Sequence, residues 1–112
     1  MRPSSAKAKG RRLQDEVRQM LLETFTELEE DDVKCAIMGE GGEDIHLSPT
    51  ARKLFPFSVE CKNQERIQIW AALEQAESHG HAPLLVFKRN RSRTYATLRV
   101  EDLMTIMARY DR

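Results

Sequence analysis

The stretch FSVECKNQ at residues 57–64 constrains the fold of this chain more than any other. Side chains alternate between the two faces of a strand, so Phe57, Val59 and Cys61 share an apolar face while Glu60 and Lys62 share the opposite one. The segment lies between a predicted hairpin and a predicted helix, which places it centrally in a sheet. Charged side chains there are costly unless they are paired or bind a metal ion. The sequence therefore predicts a chemically active face on a central strand.

The remaining elements follow from periodicity and turn signals. Apolar positions recur every three and four residues over residues 11–29, which predicts an amphipathic helix. Strands are predicted at residues 33–38, 44–47, 57–62, 83–89 and 94–99, and residues 48–56 are interpreted as a connection. A helix capped by Asn63 is predicted to run to about Ser78. A closing helix at residues 99–110 should turn Leu103, Ile106 and Met107 inward. The predicted order is α-β-β-β-α-β-β-α.

Composition limits the classes of protein to which this chain can belong. Its 112 residues are 40% hydrophobic and 32% charged, which fits one globular domain, and its apolar runs are too short to span a membrane. Residues 1–10 are predicted to form a basic arm ahead of a single domain at residues 11–112. The arm lacks the apolar stretch of a secretory signal, so we expect a cytoplasmic location.

The formal net charge is zero, but the charges are unevenly distributed. Acidic residues concentrate at residues 27–32, whereas basic residues form two clusters able to contact phosphate. The residues predicted to bind DNA are Lys7, Lys9, Arg11 and Arg12 in the first cluster and Arg91 and Arg93 in the second. Each cluster alone is equally well explained as a solvated tail or hairpin tip.

Acidic residues near the central strand indicate a metal site. Asp44 heads the neighbouring predicted strand, and with Glu60 it would form an oxygen-rich site suited to magnesium or manganese rather than zinc. A salt bridge between Glu60 and Lys62 is the plain alternative, because acid-x-Lys triplets arise by chance and another occurs at residues 32–34. That second triplet has no hairpin before it. Glu16, beside the buried stripe of the first helix, adds a third acid.

This pattern resembles the signature of the PD-(D/E)XK nuclease superfamily. The residues that carry the resemblance are Glu16 on the first helix, Asp44 on the second strand, and Glu60, Cys61 and Lys62 on the third. Within the superfamily, KAKGRRLQDEV followed by the VECK segment is similar to archaeal and phage-type Holliday-junction resolvases. The resemblance covers roughly residues 7–107 and implies a restriction-endonuclease-like α/β core with a central mixed sheet flanked by helices. Glu43 stands where the family name has proline, and the neutral net charge is unusual for a junction binder.

The resemblance also implies an activity and roles for its residues. The expected enzyme is an Mg²⁺- or Mn²⁺-dependent endodeoxyribonuclease that hydrolyses phosphodiester bonds. The implied metal ligands are Asp44, Glu60, the main-chain carbonyl of Cys61, and Glu16 through a water or a second ion. Lys62 would orient the attacking water or stabilise charge on the phosphate. Gln68 is the implied further catalytic residue, although Gln64 continues the face of Glu60 and competes with it.

The implied partner is DNA, branched in the manner of recombination and repair intermediates, inside a phage-infected or prokaryotic cell. A resolvase would act as a homodimer, because symmetric cutting of two strands needs two sites related by a two-fold axis. Apolar residues around Trp70 and in the closing helix are the expected interface. Nicked, flap and plain duplex substrates stay open. The alternative function is a DNA-binding or assembly module without turnover, and the complete set of three acids and a lysine favours the enzyme.

Overall fold

The computed structural model describes residues 3–37 and 41–110. The helices are α1 (Pro3–Thr24), α2 (Pro49–Leu54), α3 (Ile69–Glu77) and α4 (Val100–Arg109), with one 3-10 turn at Glu30–Asp32. The strands are β1 (Val33–Cys35), β2 (Ile45–Leu47), β3 (Phe57–Asn63), β4 (Ala82–Lys88) and β5 (Tyr95–Leu98). None of the described helices is both long and apolar enough to cross a membrane.

The strands form a hairpin and a mixed sheet. β1 and β2 pair antiparallel, as the sequence predicted. β3 pairs parallel with β4, and β4 pairs antiparallel with β5. The backbone N–H of Asp44, just before β2, donates to the Val59 carbonyl of β3 at 3.0 Å, so the hairpin is tied to the sheet. This arrangement confirms the predicted α/β fold with a central mixed sheet flanked by helices.

The two faces of β3 meet different helices. Val59 and Cys61 belong to the main core, together with Leu13, Val17 and Leu21 of α1. Burying each large apolar side chain contributes about 1.5–3 kcal/mol. Glu60 points to the opposite face, where α3 packs on β3 and β4 through its buried Ala72 and Ala76. The predicted separation of an apolar and a polar face on this strand is therefore confirmed.

The helix boundaries differ from the prediction in three places. α1 begins at Pro3 and ends at Thr24, instead of spanning residues 11–29, because Lys and Ala in the predicted arm are good helix formers without apolar periodicity. Residues 49–54, interpreted as a connection, form α2: the Ser48 hydroxyl accepts a hydrogen bond from the Ala51 N–H at 3.1 Å. Asn63 is the last residue of β3 and caps no helix, since α3 starts only at Ile69.

The closing helix α4 is present where it was predicted, but its orientation was predicted wrongly. Leu103, Ile106 and Met107 were expected to face inward, and they are 40%, 43% and 53% exposed. No residue of α4 is buried. Its first turn is fixed instead by an ion pair in which Arg99 Nε donates to Asp102 Oδ2 at 2.8 Å.

Some predicted features fall outside the described residues. Met38, predicted as the last residue of the first strand, and Gly39 and Glu40 of the predicted turn are among them. The same holds for residues 1–2 of the predicted arm and residues 111–112 of the predicted domain. The division between an arm and a domain stays a prediction.

Candidate functional site

Glu60 is the most unusual side chain of the structure. It is 1% exposed in the middle of β3, and its partner across the parallel ladder is the fully buried Leu85. Among the described residues its Oε1 atom has no hydrogen-bond partner, although His79 Nε2 lies 3.5 Å away. Buried polar atoms are almost always hydrogen-bonded, so an unsatisfied carboxylate oxygen here points to a role beyond stability.

Asp44 is held against β3 by the main chain. Its Oδ2 accepts a hydrogen bond from the Cys61 N–H at 2.7 Å, and its own N–H is bonded to Val59. These two contacts fix the half-buried carboxyl group beside Glu60. Glu43, the residue before it, forms an ion pair with Arg52 of α2 at 3.2 Å, which anchors the loop that carries Asp44.

Burial and neighbouring charge change the acidity of Glu60. Burial is the largest cause and the negative charge of Asp44 the second, and together they raise the pKa of Glu60 to about 8. The positive charge of Lys62 lowers this pKa, and a hydrogen bond with Asp44 favours the protonated form. Two carboxyl groups share a site with little water, which opposes ionisation of both unless a cation lies between them.

A divalent cation fits this pair. Magnesium is commonly bound by one or two carboxylates and completes its shell with waters and substrate phosphates. The residues able to supply oxygen are Asp44, Glu60 and the main-chain carbonyl of Cys61. Within the described residues, however, no three side chains of His, Cys, Asp or Glu lie close enough together to hold a metal ion.

The predicted third acid is not part of a three-residue cluster. Glu16 is exposed on α1, and the structure does not gather it with Asp44 and Glu60. Its action through a water or a second ion stays a prediction. The neighbouring Asp15 accepts a hydrogen bond from the Cys35 thiol at 3.5 Å, so that carboxylate contacts β1 instead.

Lys62 shares the polar face of β3 with Glu60 and is half-buried. In the described part of the chain no ion pair shorter than 4.0 Å joins Lys62 to Glu60, so the plain salt bridge considered from the sequence is absent. Its effect on the pKa of Glu60 nevertheless shows that the two charges interact. The ammonium group of Lys62 thus acts on Glu60 without forming an ion pair with it.

The two candidate glutamines follow the C-terminal end of β3. Gln68 is exposed at the residue before α3. Gln64 is also exposed; its N–H donates to the Lys88 carbonyl at 3.1 Å, and it lines an open cleft of about 310 Å³ together with Arg89 and Tyr95. No hydrogen bond between the Glu60 side chain and either glutamine occurs in the described residues, so the choice between them stays open.

The predicted DNA-binding residues lie on two elements. Lys7, Lys9, Arg11 and Arg12 are all on the N-terminal half of α1, where Lys7 and Arg11 share a face because they are four residues apart. Arg91 and Arg93 are exposed in the turn between β4 and β5, which Ser92 closes through its N–H to the Arg89 carbonyl at 3.2 Å. Arg91 has φ 64°, an uncommon backbone for a residue with a side chain.

His79 is the residue that the sequence did not reveal. It lies in the turn after α3, nineteen positions from Glu60 along the chain, and only the packing of α3 on β3 brings the two together. A histidine in the segment SHGHAP carries no local signal of such a contact.

A protein-family model described as "Phage putative PDDEXK endonuclease" matches residues 5–111. No curated protein and no solved structure shows a significant match to the chain.

Proposed function

Because the chain belongs to the phage putative PDDEXK endonuclease family, and is therefore a nuclease, we propose that it is an Mg²⁺- or Mn²⁺-dependent endonuclease. We further propose that it cuts branched DNA, four-way junctions foremost, as a homodimer in the cytoplasm. The superfamily assignment drawn from the Asp44 and Glu60-Cys61-Lys62 pattern is confirmed by the family match. One observation supports the metal dependence: the Asp44 carboxyl group lies beside the buried Glu60, whose Oε1 atom lacks a hydrogen-bond partner among the described residues.

The proposed site divides the work among its residues. Asp44, Glu60 and the Cys61 carbonyl would hold the cation, with Glu16 acting through water. The ion, when bound, supplies charge neutralisation at the phosphate and a more acidic water. Lys62 orients that water or stabilises charge building on the phosphate, since its ammonium group lies on the same face. Gln68, or Gln64 in its place, completes the polar surroundings.

Exposed basic side chains support DNA binding despite the zero net charge. The cluster on α1 and the pair at the β4–β5 turn are both accessible to a phosphate backbone. Contacts of this kind position a protein on nucleic acid without reading sequence. They fit an enzyme that selects the shape of its substrate.

The apolar surface of α4 supports a homodimer. Val100, Leu103, Met104 and Met107 recur at the spacing of one helical face, and all four are exposed. An antiparallel pair of α4 helices would cover this face in both copies. A second copy of this chain would thus bury apolar side chains that are otherwise in contact with solvent.

A cleavage assay tests the proposed activity. Purified protein should cut a four-way junction in the presence of Mg²⁺ or Mn²⁺, with paired nicks on opposite strands, and should not cut it when a chelator is present. Flap, plain duplex and single-stranded DNA serve as comparison substrates. Absence of cleavage on all four substrates with both metals contradicts the enzyme and favours the non-catalytic DNA-binding module. Equal cutting of junction and duplex contradicts only the proposed substrate.

A further inference from the structure

His79 lies in the turn that follows the C-terminal end of α3, and its side chain faces β3. Its N–H is bonded to the Ala76 carbonyl at 3.3 Å, and Gly80, with φ 88°, closes the turn through its N–H to the Glu77 carbonyl. A positive φ is costly for most residues and free for glycine, so Gly80 lets the chain leave the helix directly after His79. This tight ending places the imidazole against the buried polar face of β3, with Nε2 at 3.5 Å from Glu60 Oε1.

Buried side-chain atoms without a hydrogen-bond partner are concentrated at this one place. In the described part of the chain they are Ser58 Oγ, Glu60 Oε1 and His79 Nε2. Ser58 and Glu60 lie two residues apart on the same face of β3, and His79 approaches Glu60 from α3. Structural ion pairs normally satisfy their polar atoms. Hydrogen bonds of catalytic groups are often long in the free enzyme and shorten when a ligand binds. A cluster of buried polar atoms without partners is consistent with such groups.

Glu60 has an acidic neighbour and a basic neighbour. The carboxyl group of Asp44 contacts it, whereas the imidazole of His79 reaches its Oε1. A carboxylate has two oxygens, so a donor that holds Oε1 leaves Oε2 to act elsewhere. A ligand side chain that is held in this way loses less rotamer freedom when it binds a cation.

We propose that His79 is a positioning residue: its imidazole holds Oε1 of Glu60, so that the carboxylate presents its second oxygen beside Asp44 for a divalent cation. This inference rests on the metal-dependent nuclease proposed above and adds to it a residue outside the three acids and the lysine. Hydrogen-bond partners of metal ligands typically change metal affinity by about 10- to 100-fold when they are removed.

Cation binding in the absence of DNA tests this role. The full chain is titrated with Mn²⁺ by calorimetry at mildly alkaline pH, unmodified and as His79→Ala. We expect His79→Ala to bind Mn²⁺ about 10- to 100-fold more weakly. His79→Gln should restore most of the affinity, because its side-chain amide can donate from a position close to that of imidazole Nε2. His81→Ala, which alters an exposed histidine of the same loop, is the matched control and should bind like the unmodified protein.

The outcomes separate this inference from the proposed function. Equal Mn²⁺ affinity in the unmodified protein and His79→Ala overturns the positioning role and leaves the metal-dependent nuclease intact. The same loss in His79→Gln as in His79→Ala, with both variants melting like the unmodified protein, also overturns it. If His79→Ala does not fold, the comparison of His79→Gln with the unmodified protein decides, and a loss of about 10-fold or more in that variant counts against the role. Absence of Mn²⁺ binding in the unmodified protein overturns the metal-dependent function itself.

Discussion

The protonation of Glu60 makes the stability of the fold depend on pH. Burial and the neighbouring Asp44 raise its pKa from an ordinary value of 4.5 to about 8. Between these two values the folded chain keeps a proton that the unfolded chain releases. Rising pH therefore favours the unfolded state over this window, and the stabilising effect of the raised pKa, complete below 4.5, is lost as pH passes 8.

Replacing Glu60 by glutamine should remove this pH dependence. In the presence of a chelator, we expect the free energy of unfolding of the unmodified protein to fall between pH 4.5 and pH 8 relative to that of Glu60→Gln. The advantage of the variant should stop growing above that window. Urea denaturation of both proteins across the pH range measures the difference. Parallel stability curves would contradict the raised pKa.

Lys62 and Asp44 should matter for chemistry more than for binding. Lys62→Ala and Asp44→Asn should each lower the cleavage rate by about 10²-fold or more, because they remove a charge at the reacting phosphate or a metal ligand. The asparagine oxygen can still accept the hydrogen bond from the Cys61 N–H, so Asp44→Asn should fold normally. DNA affinity should stay within several-fold, since phosphate contacts elsewhere supply most of it.

Single-turnover cleavage and equilibrium DNA binding, measured on the same preparations, separate the two effects. Lys53→Ala, which removes an exposed lysine of α2, is the control and should leave both quantities unchanged. A fall in affinity as large as the fall in rate would place Lys62 or Asp44 in DNA binding instead.

At the residue scale, sequence reasoning succeeded where one local rule was sufficient. Strand alternation put Glu60 and Lys62 on a common face, and the hairpin brought Asp44 beside them. It failed for His79, because the contact between the turn after α3 and β3 depends on how α3 packs on the sheet. Local sequence rules do not give that packing.

At the scale of the elements, α1 combines two roles. The part of α1 from Leu13 onward supplies Leu13, Val17 and Leu21 to the core. Arg18 fixes the helix to the strand that follows, since its Nε donates to the Val33 carbonyl at 2.6 Å and its Nη2 to the Glu30 carbonyl at 2.9 Å. The part before Leu13 carries the basic cluster. Substitutions of those basic residues should therefore change DNA binding with little effect on folding.

Replacing Lys7, Lys9, Arg11 and Arg12 together by glutamine should weaken DNA binding and reduce its salt dependence. For each phosphate that the protein no longer neutralises, the slope of log affinity against log salt concentration should decrease in magnitude by about 0.9. Glutamine keeps the helix, because its helix propensity is close to that of lysine and arginine. Fluorescence anisotropy at several salt concentrations measures the slope.

The control for this experiment combines Lys53→Gln with Arg66→Gln, which alter exposed basic residues on other elements. An unchanged slope in the α1 variant would show that its four basic residues make no contact with the phosphates. An equal change in the control would show that any loss of positive charge has the same effect.

The elements that could be predicted were those with clear periodicity. The hairpin, β3, β4 and β5 were found because apolar and turn residues alternate as the pairing requires. α2 was missed because Pro49 was interpreted as a break, whereas proline after a capping serine starts a helix. For α4, the prediction that Leu103, Ile106 and Met107 face inward was wrong, because amphipathicity alone does not show what a helix packs against.

At the scale of the whole molecule, the apolar surface is unevenly distributed. α1 covers one face of the sheet, whereas the side of α3 and α4 leaves large residues in contact with solvent, among them Trp70 at 81% exposure. An open groove of about 450 Å³ runs between α3 and the start of α4, lined by Trp70, Leu73, Leu98 and Val100. Exposed apolar patches of this kind mark interaction surfaces, and here the patch continues onto the apolar face of α4.

Charged residues introduced on this surface should separate the two copies. Leu103→Glu combined with Met104→Glu should convert a dimer into a monomer, because charges in the centre of an apolar interface cannot be solvated. The monomer should still nick DNA, but the two opposite strands of a junction should be cut independently of each other. Sedimentation velocity and the kinetics of the two nicks measure these effects. Met20→Glu, an exposed methionine on α1, is the matched control and should stay dimeric.

A substitution on the opposite side of α4 gives a sharper test of which face meets the second copy. Arg109 follows Met107 by two residues, about 200° around the helix, so Arg109→Glu should leave the dimer intact. A monomer in this variant would contradict the apolar face of α4 as the interface. An unmodified protein that is monomeric at micromolar concentration would remove the homodimer and leave the metal-dependent site as it is.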